Sequence, residues 1–390
     1  MPSSTTYSGV QYSGIWTMNQ VNAAIAASTW PVGSPQYLYS WGRNNFGQLG
    51  LGNTTYYSSP KQIGALARWS NVAGGTVQTI ATKADGTLWS WGRNNSGQLG
   101  LNNLTSYSSP KQIGALTTWL TIASGQYHTL ATKTDGTLWS WGQNNVGQLG
   151  DGTATNRSSP VQVGALTTWL KVACGNYFTL AIKTDGTLWS WGYNYYGQLG
   201  YSNNAGTFTG ISSPIQVGAL TTWLNVEGIA GSTLSTTTSG TLYAWGNGGN
   251  GVLGLGNTTS YSSPKQVGAL TTWLKVAGGV YFVLANKTDG TLWSWGQNTS
   301  GQLGLGNLTN YSSPKQVGAL TTWSTFAGGS AFTLANKTDG TLWSWGLNTD
   351  GQLGLGNTTT YSSPKQVGSG AAWLTGMACG FYHAIVTNGQ

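Results

Sequence analysis

The chain has 390 residues, only 6% of them charged, so catalysis by clustered acids and bases has few groups to draw on. Its net charge of +8 comes from 16 basic and 8 acidic residues scattered singly, with no block of like charges, which argues against nucleic-acid binding. No apolar run approaches the roughly 18 residues of a spanning helix, so membrane insertion is not expected.

Residues 1–35 stand apart from the rest of the chain. They lack the basic and apolar regions of a secretory signal. Thr17 is placed to cap a short helix that carries Met18, Val21 and Ile25 on one side and ends at Pro31, bracketed by Trp16 and Trp30. This uncharged, tryptophan-flanked segment reads either as an attachment arm or as a strap on the body that follows.

From residue 36 the sequence repeats. A Trp-Gly pair recurs at Trp41, Trp91, Trp141, Trp191, Trp245, Trp295 and Trp345, with spacings of 50, 50, 50, 54, 50 and 50. A fixed period of this length marks a supersecondary unit that buries its apolar face only against its neighbours. In one unit, LKVA (170–173) and YFTLAI (177–182) read as strands. Thr184-Asp185-Gly186 is a tight turn, and TLWSW (187–191) alternates so that Trp189 and Trp191 share a face. A fourth strand is predicted from Pro214 to Val217. Seven such units at even spacing predict an all-β, seven-bladed propeller of four-stranded blades over residues 36–390.

The chain ends predict how the ring closes. HAIVTNGQ (383–390) aligns with a second strand and its turn, with Asn388-Gly389 in place of Asp-Gly. YLYSW (37–41) is a third strand with nothing before it to pair with. The two should join and remove the open sheet edges. Cys174 and Cys379 fill the same small-residue slot of non-adjacent units, which places them too far apart for a disulfide.

A small-residue Gly-Gly or Cys-Gly step, a hydrophobic strand, Asp-Gly and then W-G-x-N-x-x-G-Q-L-G resembles the regulator-of-chromosome-condensation repeat family. The resemblance covers residues 36–390 and all seven units. It is weakest over 225–254, where Ser239 replaces Asp, Tyr243 replaces Trp and GNGGNGVLG replaces the usual loop. The family's second-strand histidine survives as His128 and His383. The resemblance implies a propeller but not a function, because members range over nucleotide exchange on a small GTPase, enzyme inhibition and light sensing. The acidic contact loops of an exchange factor and the arginine–carboxylate pairs of a light-sensing dimer have no counterpart here.

Chemistry-bearing residues are sparse. Asp85, Asp135, Asp185, Asp289 and Asp339 occupy turns, leaving Asp151, Glu227 and Asp350 in three different units. Two histidines and two cysteines in separate units give no metal-ligand spacing. No phosphate loop or nucleophile elbow is present. The sequence therefore predicts neither enzyme activity nor a cofactor or metal.

Comparison of the repeats within the chain is more informative. The Lys-Thr-Asp-Gly turns and Gly-Ala-Leu-Thr-Thr-Trp connections fall on one predicted face and are nearly uniform. The opposite face varies from blade to blade. It carries Arg43 and Phe46, Arg93, the divergent DGTATNR with Arg157, Tyr193 with Tyr195 and Tyr196, and a four-residue insertion within 201–213 that includes Phe208. Aromatic residues and arginine supply most binding hot spots, so this face is the candidate binding surface. The segment SGIWTMNQVNAAIAASTWP resembles N-terminal segments of marine tailed-phage structural proteins. That resemblance implies a virion fibre, decoration or receptor-binding subunit, attached to other virion proteins by residues 1–35 and displaying the variable face to a host protein or glycan. The alternative is a cellular binding module, such as an inhibitor or signalling scaffold.

Overall fold

The computed structural model describes residues 5–7, 10–12, 36–65, 68–201, 206, 210–370 and 373–389. Strands Thr5–Tyr7 and Val10–Tyr12 form a small antiparallel hairpin in a unit of its own. Residues 36–389 form the second unit, which consists of seven four-stranded antiparallel sheets. The predicted seven-bladed propeller is therefore the observed fold.

Blade 4 shows the common plan. Its strands are Trp169–Cys174, Phe178–Lys183, Leu188–Gly192 and Ile211–Gln216, paired in chain order. Blades 2, 3, 5, 6 and 7 repeat this over 69–112, 119–162, 223–266, 273–316 and 323–366. First strands line a central channel. The fourth strand of blade 4 begins at Ile211, ahead of the predicted Pro214, because a register shift between Ser190 and Gly192 lets Gly192 pair with Ile211.

Blade 1 closes the ring from both ends of the unit. Its order is Trp373–Cys379, His383–Gly389, Gln36–Gly42 and Tyr57–Gln62. Gln36 pairs with Gly389 and Trp41 with Ala384, as the sequence predicts. The predicted turn at Asn388-Gly389 does not form. With no covalent link to the third strand these residues stay extended and pair with Tyr37 and Gln36.

The blades are joined by one repeated device. The Trp of each Trp-Gly pair is fully buried. Its Nε1–H donates to a backbone carbonyl of the preceding blade at 2.9–3.0 Å: Trp41 to Gln352, Trp91 to Gln48, Trp141 to Gln98, Trp191 to Gln148, Trp245 to Gln198, Trp295 to Val252 and Trp345 to Gln302. In five blades a second-strand threonine (Thr79, Thr129, Thr179, Thr233, Thr333) donates its hydroxyl to the same carbonyl. The chain reaches this contact through the glycine two residues past the Gln. Gly150 sits at φ +74°, and a Cβ there would collide with the Trp191 indole.

The Thr-Thr-Trp tryptophans pack across the same seam. Trp119 and Trp141 of blade 3 share one apolar cluster with Ile80, Leu88 and Ile113 of blade 2. Trp139 and Trp141 both meet the Trp119 ring edge-on, at 6.2 and 6.1 Å between centroids, so the shared face of the alternating pair is real. The lysine ending the second strand is trapped here as well. Lys133 Nζ stands 3.6 Å from the Trp139 ring centre and 5.0 Å from that of Trp119. Lys83, Lys183, Lys287 and Lys337 repeat the arrangement. Part of the basic excess is thus tied into the framework.

Trp345→Phe should cost about 1–3 kcal/mol in urea unfolding, because the Gln302 carbonyl loses its indole donor in a buried seam. Thr333→Val should cost less, since Trp345 still serves that carbonyl and Val283 already stands at the equivalent position of blade 6. Equal costs for the two variants would show that the indole is not the principal link.

Candidate functional site

The antiparallel order places the first–second and third–fourth loops of every blade at one end of the ring and the Asp-Gly turns at the other. Around the channel mouth the first–second loops are stitched together by backbone bonds: Gln126 N–H to the Asn176 carbonyl, Asn176 N–H to Ala230 and Ser330 N–H to Phe381. These bonds hold the variable side chains on a firm rim.

Two arginine–aromatic stacks form in blades 1 to 3. The Arg43 guanidinium lies 4.0 Å over the Tyr382 ring centre and pairs with Asp350 Oδ2 of blade 7 at 3.0 Å. Arg93 sits between Phe46, at 4.9 Å, and Tyr127, at 5.5 Å, and its buried Nε has no acceptor. Both arginines keep part of their surface exposed. Arg157 is held within its own blade by Asp151, Nε to Oδ2 at 2.8 Å, with Asp151 also bonded by Thr153 and Asn144. Asp151 is held below its ordinary value: burial works against the shift, and the Thr153 and Arg157 hydrogen bonds outweigh it. It is thus a loop brace.

A tyrosine group forms in blade 4. Tyr193 stacks on Tyr195 at 6.3 Å with 10° between planes, while Tyr177 meets Tyr193 and Tyr196 meets Tyr195 edge-on. Phe208 and the attachment candidates Trp16, Met18, Val21, Ile25 and Trp30 lie outside the described residues.

Sequence reasoning missed Tyr127, Tyr177 and Tyr382, which complete these groups, and Tyr281 in the equivalent slot of blade 6. The signal was present, because each immediately precedes a second strand, where other blades carry Val77, Gly231 or Ala331. Variation in that single slot marks the face as clearly as the longer loops do.

The two histidines are framework. Each is fully buried and bonded through Nε2 to a threonine of the next blade, His128 to Thr179 at 3.2 Å and His383 to Thr79 at 3.1 Å. Burial depresses them to about 4 and about 3, so both are neutral at physiological pH. The three acids outside the turns remain apart: Asp350 on Arg43, Asp151 on Arg157, and Glu227 on the channel wall. Among the described residues no helix is long and apolar enough to cross a membrane.

Seven segments (37–82, 85–132, 135–182, 185–233, 239–285, 289–335 and 339–387) match the model of the regulator of chromosome condensation (RCC1) repeat. The chain belongs to the RCC1 repeat family. A second model of the same repeat matches 120–148, 169–198, 273–302 and 323–352. No curated protein matches the chain in sequence. Similar solved folds include human WBSCR16, with a TM-score of 0.80 and 21% identity over 90% of this chain and 98% of that one. Yeast RCC1 (Prp20) bound to Kap60 superposes with a TM-score of 0.81 and 19% identity over 92% and 89% of the two chains. Prp20p of Saccharomyces cerevisiae gives 0.79 and 20% over 91% and 92%. At these identities the likeness is one of fold.

Glu227 supplies a test of the channel. Enclosure by the channel wall pushes its carboxyl up to about 8, opposed by a hydrogen bond from the Gly278 backbone. An acid whose folded value lies above its unfolded one loses stability as pH rises between the two. Glu227→Gln should therefore stabilise the protein at pH 9, by on the order of 1–3 kcal/mol, and leave it nearly unchanged at pH 4. Thermal unfolding of both proteins at the two pH values checks this; an identical difference at both would place the carboxyl in open water.

Proposed function

We propose that this chain is a non-catalytic binding propeller that recognises a partner protein with its variable face, in a cellular role such as an inhibitor or signalling scaffold. The observation that carries this reading is the gathering of unlike arginine and aromatic side chains onto one rigid end of an otherwise repetitive ring. Arg43 on Tyr382 and Arg93 between Phe46 and Tyr127 are pre-ordered, so little side-chain entropy is lost on docking.

Family membership supports the reading. One solved relative, yeast Prp20, is bound to Kap60, and Prp20p is described with binding properties to Gsp1p and histones. The partner of this chain is a separate question, because its loop residues are its own. The virion reading rests chiefly on residues 13–31, outside the described residues, while the similar solved folds named above are human and yeast proteins. The cellular alternative has the better support.

The test is quantitative affinity enrichment from source cells with three baits: wild type, Arg43→Ala/Arg93→Ala, and Leu166→Ser/Leu220→Ser on the opposite face. A protein bound by wild type should fall at least ~tenfold with the arginine variant, equivalent to ~1.4 kcal/mol, and persist with the leucine variant. Loss with the leucine variant alone would move the binding surface to the uniform face. Recovery of the chain with capsid and tail proteins in pelleted particles would reinstate the virion reading.

A further inference from the structure

Between blades 3 and 6 the variable face opens into a cleft of about 370 Å³. That volume lies within the roughly 300–1,000 Å³ range of small-ligand sites. Tyr177, Tyr193, Tyr196 and Tyr281 line it, with Tyr196 and Tyr281 about two-fifths exposed. The polar lining is all amide: Asn145, Asn176, Gln198 and Asn247.

The cleft exists because blade 5 departs from the repeat. The slot before the second strand, filled by Tyr177 in blade 4 and Tyr281 in blade 6, holds Gly231 in blade 5, and a Cβ there would stand 3.0 Å from the Tyr196 ring. The third–fourth loop of blade 5 keeps its length but carries smaller residues at its start, Asn247-Gly248-Gly249 where blade 6 has Gln297-Asn298-Thr299. The divergence over 225–254 is therefore what leaves a gap between two tyrosine-bearing blades.

One donor in the cleft is unused. Gln198 is about 1% exposed, its Oε1 accepts the Tyr196 backbone N–H, and its Nε2 has no acceptor. In blades 1 and 3 the matching Gln48 and Gln148 give that proton to Asn45 and Asn145. Tyr195 takes the place of that asparagine in blade 4. Gln98, Gln302 and Gln352 share the open donor, but Gln198 is the one that lines this cleft.

We infer that this cleft is a binding site for a neutral carbohydrate. Tyrosine faces offer apolar platforms to the C–H faces of a sugar ring, and their hydroxyls remain polar. Each carboxamide offers both donors and an acceptor, which matches hydroxyl groups that give and take hydrogen bonds. No lining residue is charged, so an ionic ligand would lose its hydration without a counter-charge. The site uses blades 3 to 6, whereas the arginine stacks lie on blades 1 to 3, so it does not depend on the protein-binding reading.

A microarray of neutral and anionic oligosaccharides, probed with the full chain, is followed by calorimetry with the strongest neutral binder. Tyr196→Ala should weaken that binding at least tenfold. Gly231→Tyr, which restores the residue of the neighbouring blades, should abolish it by filling the cleft. Leu166→Ala on the opposite face should bind as wild type. Circular dichroism and thermal unfolding of each variant confirm that the ring is intact. Absence of any neutral binder, preference for anionic glycans, or unchanged binding by correctly folded Gly231→Tyr would each overturn the assignment. The Arg43→Ala/Arg93→Ala protein serves as the cross-check: it should keep the sugar while losing the protein partner.

Discussion

An indole N–H directed at a backbone carbonyl of the preceding blade is the contact on which the ring depends. A propeller blade buries its faces only against other blades, so each interface needs a directional link as well as apolar packing. Trp41, Trp91, Trp141, Trp191, Trp245, Trp295 and Trp345 supply that link, and the glycines at positive φ beside them, such as Gly150, let the donor reach its acceptor. The one interface without a glutamine shows how local the constraint is. Val252 replaces the Gln, its carbonyl still receives Trp295, and Val283 stands where most blades place a threonine. Backbone geometry is kept while the side chains around it change together.

This division explains why the fold was legible in the sequence and the site only partly so. Period, strand alternation, Asp-Gly turns and the unpaired YLYSW each report on backbone structure, and each recurs often enough to be read. The closing pair Trp41↔Ala384 follows from the pattern alone. A side-chain constellation carries no such redundancy. Arg93 was recognisable as a residue of the variable loops, but its position between Phe46 and Tyr127 depends on three loops from different blades meeting at one rim. The turn expected at Asn388-Gly389 failed for a related reason. Asp-Gly and Asn-Gly pairs permit a turn, and only a connected strand beyond them requires it.

Two kinds of departure from the repeat deserve to be distinguished. Some restore what the local framework needs: Asp151 replaces an apolar residue and brings Arg157 as its partner, and His128 and His383 fill the volume that phenylalanine occupies in blades 4, 6 and 7. Others leave something over. Gly231 removes a side chain without replacement, and the Gln198 Nε2 beside Tyr195 is left without an acceptor. The first kind maintains the ring; the second creates surface that a ligand can use.

The closing blade also sets a timetable. Gln36–Gly42 is made well before its hydrogen-bonding partner His383–Gly389, which lies nearly 350 residues further on. At roughly 5–20 residues per second, that strand waits on the order of 20–70 s with one edge unpaired. During the same interval, second strands such as Phe178–Lys183 and Phe332–Lys337 are made, alike enough in sequence to compete for it. Each of those is followed at once by its own third strand, across a turn of a few residues. Local pairing is therefore faster than the wrong long-range one, and the early strand is still available when the last one arrives.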